Sequence, residues 1–374
     1  MTSDPMSPAA RPTVAMPMLN LVPGGMGGTE TYASNLTQAM ASDGTFTVLT
    51  VLPENAAGTF PWVNELVIGG IRTALGVRNR LASIAQTALR GHRIRRALAA
   101  ADVVHYPFTA LMPRPPRGRP FAVTLHDVQH LDLPELFTHA DFVYRRLFYH
   151  RAARRADLVI TISEFAKQSI VRHLGVPADK IKVIPLGVDS HLFVPNLGER
   201  DGFLLYPARG WAHKNHARLI EAVTLLRRTS PRLRLVLTGG NLDGLGPLPD
   251  WVDRKGFVEQ DELIDLYRRA AVLVYPSLYE GFGLPPLEAM ASGCPVAASN
   301  AGSIPEVCGD AAVLFDPSEP EAIAAGIEEA LNRGAELSRA GVAHAATFTW
   351  ERCVQAHLEI FTELIAAARR PLTV

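Results

Sequence analysis

Tyr279-Glu280-Gly281-Phe282-Gly283-Leu284-Pro285-Pro286-Leu287-Glu288-Ala289-Met290 is the stretch on which the fold turns. The apolar run from Ala271 to Ser277 before it reads as a buried strand. The proline pair fits only the first positions of a helix, where no intrahelical N–H is lost, and Gly293 ends that helix. Strand, small-residue loop and helix in this order place the loop at the carboxyl edge of a parallel sheet, where open α/β folds bind ligands. The amides from Gly281 to Leu284 can turn toward an anion there, which the helix dipole also favours. Glu280 and Glu288 flank the loop, and a carboxylate accepts from hydroxyl groups in pairs. An anion cradle between two hydroxyl acceptors suits a phosphate joined to a sugar. Taken singly, Glu288 is an acid at a helix start and Glu280 a solvated loop charge; the whole segment asks for more.

The chain is long enough for this. Its 374 residues suit two domains of ordinary size, each with a substantial core. Charged residues make up 20% and the formal net charge is zero, so no overall basic field points to nucleic acid. The neutrality hides an asymmetry: up to Asp189 there are 20 Lys plus Arg against 14 Asp plus Glu, and afterwards 17 against 23. Cys294, Cys308 and Cys353 are an odd number without a CxxC spacing, which suggests neither a disulfide framework nor a zinc site and fits a reduced, cytoplasmic compartment. Residues 1–12, rich in Pro, Ser and Ala, predict a disordered tail rather than a signal peptide. No apolar run reaches the roughly 18 residues of a membrane span, so membrane contact is expected to be peripheral.

Working outward, Val14 to Leu21 reads as a first strand, Pro23 to Glu30 as a Gly-rich turn, and a helix begins near Thr29 with apolar positions Tyr32, Leu36, Ala39 and Met40. Strands are predicted at Phe46–Leu52, Val103–Tyr106, Phe121–Leu125, Leu158–Ile162 and Ile181–Pro185, with helical stretches between. A second alternating series has strands at Phe203–Tyr206, Leu233–Thr238, Val272–Tyr275 and Pro295–Ala298, and the chain after Glu319 reads as helical. The expected architecture is α/β, two Rossmann-like, doubly wound domains facing across a cleft. The divisions are a first domain at 13–190, a linker at 191–202 where Pro195, Asn196, Gly198 and Gly202 break periodicity, a second domain at 203–349, and a final helix at 350–374.

Several motifs lie just after predicted strands. Gly24-Gly25-Met26-Gly27-Gly28 invites a dinucleotide reading, but Glu30 stands where the third glycine belongs; Glu54 imitates a ribose-binding acid. The glycines support either a close backbone approach at a helix N-terminus or a plain tight turn. Arg209 and Lys214, five positions apart, pair a planar fork with a point charge, a suitable couple for a departing diphosphate, although loop cations are ordinarily solvated. His126, Asp127 and His130 have a spacing that permits a metal, yet no matching ligands appear elsewhere and no Asp-x-Asp is present. Ser163 before a helix reads as an N-cap. Between Glu65 and Asp102 there is no acid, while Arg72, Arg78, Arg80, Arg90, Arg93, Arg95 and Arg96 accumulate. That stretch is a solvated face or an attraction to anionic membrane or a pyrophosphate-linked lipid.

Glu-Gly-Phe-Gly-Leu-Pro-x-Leu-Glu-Ala at Glu280–Ala289 resembles the Glu-x7-Glu signature of retaining family 4 glycosyltransferases of the GT-B fold. The Arg209/Lys214-Asn215 spacing and the His126-Asp127 segment are similar to that family too, in its order along the chain, and closest in appearance to bacterial polysaccharide mannosyltransferases. The resemblance implies a GT-B fold whose final helix packs back on the first domain. It implies a nucleoside diphosphate sugar as co-substrate, no metal or other cofactor, and a glycan or lipid-linked acceptor hydroxyl. By the same resemblance Gly27 and Gly28 lie near the donor diphosphate, and His126 faces the donor sugar, with Asp127 orienting it or capping the next turn. Arg209, Lys214 and the amides of Gly281, Phe282, Gly283 and Leu284 hold the diphosphate. Glu280 holds the sugar and Glu288 the ribose; Val258 borders the base through its backbone, and Glu306 is a weaker donor-side candidate. Retention implies attack on the face the leaving phosphate departs from, with that phosphate helping to deprotonate the acceptor. GDP-mannose leads as donor, with UDP- and dTDP-sugars behind.

Two other classes stand beside this one. A sugar-nucleotide epimerase of the same fold would use the donor site without an acceptor, and a non-enzymatic sugar-binding protein would keep the cleft without needing Lys214. If Glu280 and Lys214 line an open cleft, replacing either is expected to reduce turnover far more than stability.

Overall fold

A computed structural model of the chain describes residues 11–109 and 111–370, the side chains of Val77 and Arg78 excepted. The expected tail at 1–12 therefore falls outside the described residues up to residue 10; Pro12 already accepts a hydrogen bond from the Thr47 amide. The described residues form two compact α/β units.

The first unit is built on seven parallel strands, β1 (Thr13–Pro17), β2 (Thr47–Pro53), β3 (Asn64–Ile68), β4 (Val103–Tyr106), β5 (Phe121–Thr124), β6 (Leu158–Thr161) and β7 (Ile181–Val183), in the order β3-β2-β1-β4-β5-β6-β7. Its helices are α1 (Gly28–Asp43), α2 (Val77–Leu89), α3 (Gly91–Ala100), α4 (Gln129–Asp132), α5 (His139–Arg155) and most of α6 (Glu164–Leu174). The second unit carries β8 (Asp201–Pro207), β9 (Arg234–Thr238), β10 (Val252–Gly256), β11 (Ala270–Tyr275), β12 (Val296–Ser299) and β13 (Val313–Phe315), all parallel, in the order β10-β9-β8-β11-β12-β13. Helices α7 (His216–Leu226), α8 (Gln260–Arg269), α9 (Leu284–Ala291), α10 (Ile304–Cys308), α11 (Pro320–Asn332) and α12 (Gly334–Ala345) belong to it. The last helix, α13 (Trp350–Arg369), is part of the first unit, packed on α1 and β4 with Val354, His357 and Phe361 buried.

Both sheets are covered on their two faces, so their interior strands are continuous apolar runs such as Val272–Tyr275, buried throughout. In each, the first strand lies inside, between the second and a later one, so the strand order reverses at β1/β4 and at β8/β11. The carboxyl edge beside such a reversal is where open α/β sheets bind ligands. Three strands missing from the sequence reading, β3, β10 and β13, are all edge strands. Edges are short and half solvated; Val252-Asp253-Arg254-Lys255-Gly256 has little apolar pattern to read.

The boundaries differ from those read in the sequence. Residues Ile162–Gln168, which open α6, cluster with the second unit, and so does the chain from Pro185 to Thr349. The expected linker at 191–202 is packed on that unit: the Asn196 amide donates to Ser292 O, and the Arg200 guanidinium donates to the carbonyls of Tyr267, Arg268, Ala270, Asn196 and Gly293. A guanidinium saturated by backbone carbonyls makes an anchor of a segment whose composition reads as loose. Among the described residues no helix is long and apolar enough to cross a membrane.

Candidate active site

On the second unit, Arg209 and Lys214 follow β8 and the Glu280–Leu284 loop follows β11, neighbouring strands of one sheet. Lys214 ends a single 3-10 turn, and Asn215 after it adopts a left-handed conformation at φ 62°. The buried Asn215 amide group donates to Pro276 O (3.0 Å) and Pro317 O (2.7 Å), while Tyr206 Oη donates to Lys214 O (2.6 Å). These bonds pin the turn against the end of β11. Lys214 Nζ thereby lies 2.5 Å from Glu280 Oε1 and 3.3 Å from Tyr275 Oη, with only 12% and 13% of the Lys214 and Glu280 side chains exposed.

Burial drives the Glu280 carboxyl upward, but the Lys214 ammonium and hydrogen bonds from Lys214 and Ser277 overcome it and hold it below the ordinary carboxylate range. The Glu280 carboxylate is thus kept charged beside the Lys214 side chain in a nearly dry place. This differs from the open cleft expected for both. Arg209 is not consumed in this way: its guanidinium lies 5.3 Å from the Trp211 ring centre and makes no ion pair among the described residues.

Glu288 sits on α9, half-buried, and accepts from Tyr267 Oη at 2.9 Å. Burial raises its carboxyl to about 7, only partly offset by that hydroxyl. Gly283 caps α9 at φ 119°, and prolines 285 and 286 have no N–H, so the free amides at this helix start come from the preceding loop. No hydrogen bond among the described residues uses the amides of Gly281, Phe282 or Gly283. Val258 lies beyond β10, two residues after Gly256, which adopts φ 72°.

On the first unit, Gly27 precedes α1 at φ 57° and Gly28 begins it. The anion at this helix start is the protein's own: Glu30 accepts from the amides of Gly24 (2.8 Å) and Met26 (3.3 Å). Glu54, directly after β2, spends its carboxylate within the protein: it accepts from the Gly70 amide (2.7 Å) and pairs with Arg72 (2.6 Å). His126 lies beyond β5, its ring 4.9 Å from that of Tyr32 and edge-on to it. Its Nε2 is 3.2 Å from Pro107 O, an acceptor only, so Nε2 carries the proton and Nδ1 is left as an acceptor in the neutral ring. Burial favours that neutral form, against the opposing pull of Asp127. Asp127 itself accepts from the Gln129 amide (3.1 Å), so it caps the following turn. His130 is fully buried among Phe137, Phe142 and Tyr149. Among the described residues no three His, Cys, Asp or Glu side chains converge as a metal site.

Tyr32 is held by a chain of bonds with one direction. His357 Nδ1 faces Cys353 O (2.7 Å), so it is the protonated nitrogen and Nε2 accepts from Tyr32 Oη (2.8 Å). Tyr32 Oη then accepts from Thr124 Oγ1 (3.0 Å), which accepts from His105 Nε2 (2.8 Å).

Sequence reasoning passed over three groups here. Tyr275, read only as the end of a strand, and Tyr267, singled out by no motif, turn hydroxyls to Lys214 and Glu288. Ser303 donates its amide to Glu280 O (3.2 Å), and its hydroxyl lies 2.6 Å from Phe282 O and 3.0 Å from Glu280 O. Ser163 caps α6 as expected, through the Ala166 amide (3.1 Å), and also donates to Gly281 O (2.7 Å). Glu306 spends its carboxylate on the amides of Glu164 (2.8 Å) and Phe165 (3.2 Å).

Comparison with known proteins places this site in a family. The model described as Glycosyltransferase Family 4 matches residues 26–192, and the one described as Glycosyl transferases group 1 matches residues 188–345. The chain is 33% identical over 290 residues to the O-antigen chain mannosyltransferase B of Escherichia coli, covering 70% of this chain and 75% of that one. It is 31% identical over 238 residues to the MMP α-(1→4)-mannosyltransferase of Mycolicibacterium hassiacum, covering 58% and 56%. Among solved structures, sucrose-phosphate synthase from Thermosynechococcus elongatus superposes with a TM-score of 0.78 at 21% identity, over 96% of this chain and all of that one, a likeness of fold. The fold is GT-B, and with its two halves matched by these two models the chain belongs to the family 4, group 1 glycosyltransferases.

Proposed function

We propose that this glycosyltransferase moves a mannosyl group from GDP-mannose to a hydroxyl of a glycan or lipid-linked acceptor, with retention of configuration and without a metal ion. The observation that carries the reading is the Lys214–Glu280 pair, held charged beside a loop whose amides are unspent. The mannosyl assignment is supported by the mannosyltransferase names of the relatives above. In the reaction the bond from the anomeric carbon to the diphosphate oxygen breaks and its electron pair leaves with the diphosphate. The acceptor oxygen bonds to that carbon on the same face, and its proton passes to a phosphate oxygen.

The unpaired Arg209 guanidinium and the amides of Gly281 to Leu284 would stabilise the growing negative charge, the task a metal would otherwise perform. Lys214 would share its charge between Glu280 and the diphosphate, leaving Glu280 to accept sugar hydroxyls. Glu288 would take the ribose and Val258 border the base. His126 offers Nδ1 to a sugar hydroxyl. Work at the cytoplasmic face of an anionic membrane belongs to the same proposal, supported by exposed Arg93, Arg95 and Arg96, without a carboxylate partner among the described residues, and by exposed Leu81, Leu89, Val143 and Leu147 on α2 and α5.

Thermal-shift titration with GDP, UDP, dTDP and ADP, followed by GDP-mannose turnover after exhaustive chelation, tests the reading. GDP is expected to raise the melting temperature most, and turnover to survive chelation. A larger shift with UDP would move the donor class, and activity lost to chelation but restored by Mg²⁺ would overturn the charge-stabilisation scheme.

A further inference from the structure

Every carbonyl of the loop between Glu280 and Gly283 is tied down from one side. Glu280 O takes the Ser303 amide (3.2 Å), Gly281 O takes the Ser163 hydroxyl (2.7 Å), and Phe282 O takes the Ser303 hydroxyl (2.6 Å). The two serines stand together, because Glu306, three residues after Ser303, accepts from the amides of Glu164 and Phe165 next to Ser163. Both are fully buried, and each hydroxyl has one proton to give.

A trans peptide points its N–H opposite to its C=O, and these peptides are trans. Fixing the carbonyls of residues 280, 281 and 282 toward the serines therefore sends the N–H groups of Gly281, Phe282 and Gly283 the other way, which is why they meet no acceptor among the described residues. The close approach needs glycine: a Cβ on Gly302 would lie 2.8 Å from Glu280 N, and one on Gly283 2.8 Å from Ile304 Cδ1.

We infer that Ser163 and Ser303 are positioning residues that set the peptide planes of residues 280–283, so that three consecutive amides face the β-phosphate of a nucleoside diphosphate. The inference rests on the proposed diphosphate site. Neither serine touches the ligand; each acts through the carbonyl it holds. Without them the peptides between residues 280 and 283 can flip and turn carbonyl oxygens, rather than N–H groups, toward the phosphate.

Calorimetric titration of GDP and of GMP into the full-length wild type and into Ser163→Ala, Ser303→Ala and Ser303→Cys tests this. Wild type is expected to favour GDP over GMP. Each variant should lose about tenfold in GDP affinity, the scale of one hydrogen bond to a charged group, while GMP binding stays within about twofold. Cysteine fills the space of serine but is a poor donor, so Ser303→Cys should behave as Ser303→Ala and decides the matter should the alanine variant not fold. If wild type does not distinguish GDP from GMP, the diphosphate site itself is wrong and the inference falls with it. Should wild type distinguish them while the variants keep the same ratio, or weaken both nucleotides equally, the site stands and the positioning role alone is overturned.

Discussion

Glu280 owes its charge to its neighbours, the Lys214 ammonium first among them. A carboxylate with 13% of its side chain exposed is held low chiefly by an ammonium 2.5 Å away, with a hydrogen bond from Ser277 beside it. Lys214→Met should therefore cost stability as well as rate: about 3–5 kcal/mol for stranding a buried charge and about 10²-fold or more in turnover. Adding Glu280→Gln removes the stranded charge, so the double variant should regain most of its stability in urea unfolding and none of its activity. A double variant as unstable as the single one would show that the pair is not what holds the loop. Glu288 makes the opposite pH argument. Its carboxyl is raised by burial to about 7 from an ordinary 4.5, so the folded protein binds the extra proton and stability falls as pH rises between those values. Glu288→Gln, neutral throughout, should then be more stable than wild type at pH 8 by up to about 3 kcal/mol and level with it near pH 4.5, measured as denaturation midpoints. Its nucleotide affinity should drop if the carboxylate meets the ribose. Both acids were legible as a spaced pair; that one is held charged depended on Lys214 and Ser277, and that the other is raised toward neutrality depended on its burial, which the Tyr267 hydroxyl only partly offsets.

At the scale of elements, α2, α3 and the residues flanking them carry the arginines of the acid-free stretch between Glu65 and Asp102. Their charges are unequal in use. Arg72 pairs with Glu54 and Arg80 with Asp141 (2.9 Å), and Arg90 donates to Gly69 O (2.7 Å), whereas Arg93, Arg95 and Arg96 on α3 have no carboxylate partner among the described residues. The side chain of Arg78 lies outside the described residues. A substitution that includes Arg90 would thus disturb the loop at Gly69 as well as the charge. Replacing Arg93, Arg95 and Arg96 with Gln should lower co-sedimentation with anionic vesicles, at about 1 kcal/mol per cation near the surface, and leave GDP binding unchanged. Wild-type protein that ignores anionic vesicles at low salt would make this a solvated face. Helix periodicity announced these elements, but which cation is free was settled by acids far along the chain: Arg80 meets an aspartate 61 positions away.

Across the whole molecule, buried histidines set the response to acid. Burial lowers His130, His216 and His357 each to about 4, below the ordinary 6.5. The unfolded chain binds those protons first, so stability present at neutral pH is lost as pH falls from about 6.5 toward 4. Three such groups outweigh the opposite slope from Glu288, and urea midpoints should fall over that window, less steeply in His357→Gln; a flat profile would show that these rings are hydrated. His357 also shows what the final helix contributes, since it reaches Tyr32, 325 positions away, and through it the ring against which His126 stands. The amino-acid sequence by itself determined the alternation of strand and helix, the two α/β series, the family motifs and the identity of the residues at the sheet edges. Those follow from local pattern: apolar runs, glycines at turns and prolines at helix starts act over a few residues. Only the tertiary structure decided that Lys214 and Glu280 pair across 66 positions, that Ser163 holds a carbonyl 118 positions away, and that Glu306 caps a helix 142 positions before it. Such partners are chosen by the order in which parallel strands are laid down, and a parallel sheet brings together residues that the chain keeps far apart.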